Sequence, residues 1–188
     1  MKNQRGFTLI ELLTVMLLTS VLVTLGVPAL RNFWFVRALE SGRQEVESQL
    51  RRQQQRVVAE THPLVYGIRF PRRDGGSSRI NQIGVVQFNG NDLTTDADDT
   101  CRLDATIDLP TGVEIGRVET DFGDPDVTEF CREELSSPDD HFVFFFARGN
   151  ANSARVHLIQ TKLNDRENVL CVSAVTARVY EVDPSEPC

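Results

Sequence analysis

In MKNQRGFTLIELLTVMLLTSVLVTLGVPAL one carboxylate stands out, because Glu11 is the only charge between Phe7 and Leu30. An acid inside hydrocarbon costs roughly 2.5 to 3.5 kcal/mol on insertion scales, so Glu11 calls for a cationic partner. None lies within the run: Lys2 and Arg5 precede it, and Arg31 is about five helical turns away. The partner must then sit on another molecule or be created by processing, and both routes lead to assembly.

The four cysteines, Cys101, Cys131, Cys171 and Cys188, form an even set with no C-x-x-C pair. On a chain whose apolar start implies export, disulfides are the natural chemistry. Three connectivities are open; the one we favour joins Cys101 to Cys131, clipping an acidic loop, and Cys171 to Cys188, tying down the tail. A four-cysteine zinc site usually brings its ligands in closely spaced pairs and is set aside. In NGNDLTTDADDTC the best calcium-loop register starts at Asp96, but it puts Thr100 and Cys101 where the motif wants an Asp or Asn and a Gly, so no metal is expected.

No catalytic constellation emerges. His62, His141 and His157 stand in no nucleophile or metal motif, the acids occur in runs rather than pairs, and DGGSS lacks the lysine and following helix of a phosphate loop. The expectation is a non-enzymatic chain without cofactors.

These groups need elements to position them. The 24 residues from Phe7 to Leu30 would span, at about 1.5 Å each, a hydrocarbon core of roughly 30 Å. Helical periodicity continues past Leu30, with Leu39, Val46, Leu50 and Val57 on one face and Arg and Gln around the remainder. Thr61 is the expected end, since His62 precedes Pro63. Phe33, Trp34 and Phe35 fall where such a helix leaves a bilayer. Beyond His62 the pattern changes to short apolar runs, predicting strands at 64–70, 80–88, 112–119, 142–147, 154–161, 168–175 and 177–182. The fold class is therefore α+β: a long amino-terminal helix packed on a carboxyl-terminal antiparallel β domain, with 142–146 and 169–175 as its core.

Charge is distributed unevenly. Residues 31–80 carry ten Arg and five acids, residues 81–141 three Arg against sixteen acids, and residues 142–188 five of each sign. A net charge of −7 and a pI near 5.0 argue against a dedicated nucleic-acid binder, and the acidic middle reads as solvated loop.

The stretch KNQRG-FTLIELL resembles the class III signal of type IV pilins and of the pseudopilins of type II secretion. That resemblance implies a leader, residues 1–6, cut after Gly6 by a prepilin peptidase, and methylation of the new amino terminus at Phe7. Glu11 falls where the family keeps a glutamate that pairs with the terminal amine of a neighbouring subunit, and Pro28 also agrees with the family. A proline within a helix removes one backbone bond and permits a kink. The implied organisation is a membrane and assembly helix (7–30), its amphipathic continuation (31–61) and a periplasmic β-rich domain (62–188).

Within that group, FFFARGNANSARVHLIQ followed by NVLCVSAVTARVYEV resembles the GspH/FimT family of minor pseudopilins, which implies a type IV pilin-like fold. One departure is Ala177, where the family's turn carries glycine; a left-handed backbone would strain alanine, so a different turn is expected. The resemblance further implies a single-pass inner-membrane protein that joins the tip of a type II secretion pseudopilus or type IV pilus and helps to initiate it. Its implied partners are prepilin peptidase, other minor and major pilins or pseudopilins, and an inner-membrane assembly platform. Some FimT-type members bind DNA near the terminal hairpin, where Arg178 is the matching residue. Here Arg148, Arg155, Lys162, Arg166 and Arg178 are interleaved with Asp165, Glu167, Glu181, Asp183 and Glu186, so nucleic acid is the less favoured partner.

Overall fold

A computed structural model describes residues 8–59, 64–71, 81–89, 100–121, 130–133, 135, 140–164 and 166–188. Gly6, Phe7, Thr61, His62 and all of the acidic run between Asn89 and Thr100 lie outside them.

One helix, α1 (Leu9–Ala59, 51 residues), runs unbroken through Pro28. Its first half is exposed, and includes a window of mean hydropathy 2.2 that is long and apolar enough to cross a membrane. Its second half buries one face, Leu39, Val46, Leu50 and Val57, at the positions the 3.6-residue period indicates. Gly42 belongs to that face because there is no room for more: a Cβ would meet Cγ1 of Val113 at 2.9 Å. Beside that face Arg43, itself largely buried, pairs with Glu47 at 2.9 Å, and Arg51 pairs with the same carboxylate at 2.7 Å. An i,i+4 pair on a helix adds only about 0.3–0.5 kcal/mol, so burial of the apolar face contributes more to fixing the helix.

The helix lies on two four-stranded antiparallel sheets. The first has β1 (Leu64–Phe70), β2 (Gln82–Asn89), β3 (Thr100–Asp108) and β5 (His141–Phe145) in the order β3-β2-β1-β5. The second has β4 (Val113–Asp121), β6 (Ser153–Gln160), β7 (Arg166–Val172) and β8 (Val179–Val182) in the order β4-β6-β7-β8. Alternation sorts the side chains. Tyr66, Ile68, Phe70, Ile83, Val143 and Phe145 join Val156, Leu158, Leu170, Val172 and the α1 face in the main core.

The opposite face of the first sheet forms a second, aromatic core. Val65, Val86, Phe88, Phe142, Phe144 and Phe146 are covered by Phe130 and Leu135, carried on and just after a helical turn at 130–133. The bond Cys101–Cys131 fastens that turn to β3. Gly67 has this tight packing as its reason, since a Cβ there would approach Cδ1 of Phe144 to 2.6 Å.

The acidic middle holds a strand, not only loop. β3 was hidden because it is an edge strand paired only with β2, so most of its residues face water and the apolar alternation fades. Register shifts in β3 opposite Val85 and Val86, leaving Asp104 as the extra residue of a bulge. The bulge turns Asp104 toward Arg102, at 3.0 Å, and toward Arg56 of α1, at 3.8 Å.

Ala177 also departs from expectation. Alanine occupies the left-handed region there, at φ 50°, rather than avoiding it. The residue is buried in the main core beside Val179, and the turn is closed by the Ser173 N–H donating to the Arg178 carbonyl at 3.0 Å. Tertiary packing of the methyl group offsets the local strain.

Candidate assembly site

Glu11 has a partner within its own chain. Thr8 is the N-cap of α1 and Glu11 the third residue of its first turn, the T-x-x-E arrangement of a capping box. The Glu11 N–H donates to Oγ1 of Thr8 at 3.4 Å, and the carboxylate accepts from the Thr8 N–H at 3.4 Å and from its hydroxyl at 3.5 Å. These donors are uncharged, so they cap the helix start without supplying the cationic partner that apolar surroundings call for. The contacts are long and the carboxylate is exposed, which leaves it accessible to a stronger, cationic partner.

The surrounding surface suits burial against other helices or lipid. Leu9, Ile10, Leu12, Leu13, Met16 and Leu17 are all more than half exposed. The polar side chains among them are satisfied internally: Thr14 donates to the Ile10 carbonyl at 3.0 Å, Thr19 to that of Val15 at 2.9 Å and Thr24 to that of Ser20 at 2.7 Å. Glu11 is thus the one charged group on this apolar surface, and a desolvated charge there would penalise every arrangement that left it unpaired.

At the far end of the apolar run Phe33 and Trp34 meet edge to face at 6.4 Å, and Arg37 lies 5.0 Å over the ring of Phe33. Both rings are exposed, as an interfacial aromatic belt requires.

The contacts between α1 and the second sheet order the β domain along the helix axis. Gln160, at the end of β6, donates to the Phe35 carbonyl at 3.3 Å; Arg43 pairs with Glu181 at 3.3 Å; Arg51 donates to the Val179 carbonyl at 3.0 Å. The β6–β7 turn is therefore near the apolar run, and the β5–β6 and β7–β8 turns are at the opposite, distal end. Arg148 and Arg178 sit on those distal turns, whereas Lys162 and Arg166 lie at the proximal end. Arg155, the third residue of β6 and toward the distal end, donates to the Pro184 carbonyl. The five cations do not form one stripe.

Cys171 and Cys188 are bonded, and the Tyr180 hydroxyl donates to the Cys188 carbonyl at 3.3 Å, so the tail lies across the face of the second sheet turned away from α1. His157 is on the same face with Nδ1 against the carboxylate of Glu167. Among the described residues no cluster of metal-binding side chains occurs.

Residues 1–27 match the prokaryotic N-terminal methylation motif. No curated relative matches the chain. Among solved structures, EpsH, the minor pseudopilin of the Vibrio cholerae type 2 secretion system, matches over 80% of this chain and 99% of its own, with 13% identity and a TM-score of 0.50. The chain has a pilin-like fold. FimU, a type IV minor pilin of Pseudomonas aeruginosa strain PAO1, is similar over 82% of this chain and 95% of its own, at 12% identity and a TM-score of 0.47. In this pilin-like chain the motif covers only the amino-terminal part of α1 and what precedes it, and over the β domain the likeness is one of fold.

Proposed function

We propose that this chain is a minor pilin or pseudopilin: a single-pass inner-membrane subunit that is extracted into a pilus-like filament, at or near its tip, and helps to initiate it. Residues 1–6 are the leader removed by prepilin peptidase, Phe7 is the methylated amino terminus, and 7–30 forms the membrane and assembly helix. The β domain faces the periplasm. Its partners are other minor and major pilins or pseudopilins and the inner-membrane assembly platform.

The observation that carries this reading is Glu11, a single accessible carboxylate on the apolar surface of a helix that begins at a methylation motif. Cutting after Gly6 creates an ammonium at Phe7, four residues before Glu11, and in a bundle of such helices the amine of one subunit meets the carboxylate of the next. That charged pair is stronger than the capping contacts to Thr8. Separation of the cations at the two ends of the domain favours this structural role over DNA binding through Arg178.

The test is incorporation. Glu11→Ala should leave membrane levels and leader removal intact while cutting the amount recovered in sheared filaments by at least about ten-fold, the effect of losing a desolvated charge pair. Normal incorporation of that variant would sink the proposal.

A further inference from the structure

The β6–β7 turn, Thr161–Asn164, is held at the level where α1 leaves its apolar run. Besides the bond from Gln160 to Phe35, Thr161 donates its N–H to the Gly112 carbonyl at 3.0 Å, and the Lys162 N–H reaches Oε1 of Gln160 at 3.3 Å. Phe35 is five residues beyond Leu30, about 7.5 Å along the axis at 1.5 Å per residue. The headgroup layer on one side of a bilayer is roughly 5–7.5 Å deep, half the difference between the full and hydrocarbon thicknesses. The turn therefore stands at the height of lipid phosphates.

Four cations are exposed at this level, and of the acids in the sequence of the turn Asp165 lies outside the described residues. Arg31, Arg37, Lys162 and Arg166 are all exposed, and the guanidinium of Arg31 lies 5.8 Å over the ring of Phe35. The described acids nearest this end are set back from the turn, with Glu181, Asp183 and Glu186 lining one hollow beside Glu167. Glu114 and Glu167 stand opposite Ile159 on the sheet face turned away from α1, with Glu167 against His157. Asp108 ends β3 in the other sheet and is bound by Gln82. β8 ends opposite Val169, three residues above Arg166, and Asp183 binds the Ser185 hydroxyl at 2.7 Å where the chain turns back toward Cys171.

We infer that the proximal end of the β domain is a lipid-contact surface: Lys162, with Arg31 and Arg37, seats the β6–β7 turn on the phosphates of the bilayer that α1 enters. Its occupant is an anionic phospholipid headgroup, argued from continuity with the spanning helix and from the match of charge. The contact holds the domain close to the membrane before assembly, and extraction into a filament must break it. This inference rests on the membrane reading above.

The experiment uses the full chain in vesicles of phosphatidylcholine alone or mixed with phosphatidylglycerol. Trp34, the only tryptophan, reports insertion of the helix, and a polarity-sensitive fluorophore on Leu163→Cys reports the turn. The expected result is an interfacial Trp34 in both vesicles, with the turn probe shielded from aqueous iodide only in the anionic ones. Lys162→Glu should then lower the docked fraction by about five-fold or more, and half-molar salt should do the same. A water-exposed probe in anionic vesicles beside an interfacial Trp34 overturns the inference and leaves the membrane reading standing; a water-exposed Trp34 overturns both.

Discussion

Thr8 and Glu11 hold each other across the first turn of α1, each accepting the other's backbone N–H at 3.4 Å. The local capping contacts are long, so they would yield to the charged pairing between subunits that the proposed function requires. Thr8→Ala should loosen the turn, by about 1 kcal/mol for loss of an N-cap. Hydrogen exchange at Leu9–Leu12 in detergent micelles would show it as about five-fold faster opening, and unchanged exchange would mean that the box holds nothing.

The two disulfides close loops of 30 and 17 residues. Loop-closure entropy puts their contributions at about 3.6 and 3.1 kcal/mol. Serine replacement of Cys101 and Cys131 should do more than lower the melting temperature, because it frees the turn that covers Phe88, Phe142 and Phe144. Increased binding of a hydrophobic dye at temperatures below melting is expected for that variant. Replacing Cys171 and Cys188 should free the tail and give early carboxyl-terminal proteolysis instead.

Ala177 sits at φ 50° with its methyl group buried. A left-handed alanine is strained by about 1–2 kcal/mol, while glycine would give up the methyl's burial, about 0.8 kcal/mol. The two nearly cancel, so Ala177→Gly should change stability by less than about 1 kcal/mol. Ala177→Val gains no such relief and adds a branched side chain to a full site, with an expected loss of about 2 kcal/mol or more in chemical unfolding.

Glu40 is held below its ordinary value by the hydrogen bond from Arg43, against the opposing effect of burial. A carboxyl whose folded pKa is depressed adds stability above its unfolded value, near 4.5, and loses it as pH falls through the folded one. Acid unfolding of the wild type should therefore steepen below about pH 4.5, and Glu40→Gln should flatten that limb while leaving stability at pH 2 unchanged. Parallel curves for the two proteins would show that the pair is screened by solvent.

Legibility followed burial. Strands β1 and β5 were readable because both of their faces are covered, and Leu39, Val46, Leu50 and Val57 because one face of α1 is. β3 was not, since an edge strand in water keeps no apolar period. The local partner of Glu11 was written in the sequence as T-x-x-E before an apolar run, but a search for a cation passes over a threonine. Strand order, by contrast, depends on which faces meet across the core. Nothing in VYGIRF says that β5, more than seventy residues later, will lie beside it.

Pro28 lies eleven residues ahead of Leu39, the first fully buried side chain of α1, a gap of about 16 Å. The helix is unbroken at Pro28, and a bend there, which a proline permits, would move the lower segment without disturbing a contact of the core. On the function proposed above, one and the same core would then serve in a bilayer, where the stem stands alone, and in a crowded shaft, where its tilt is dictated by neighbours.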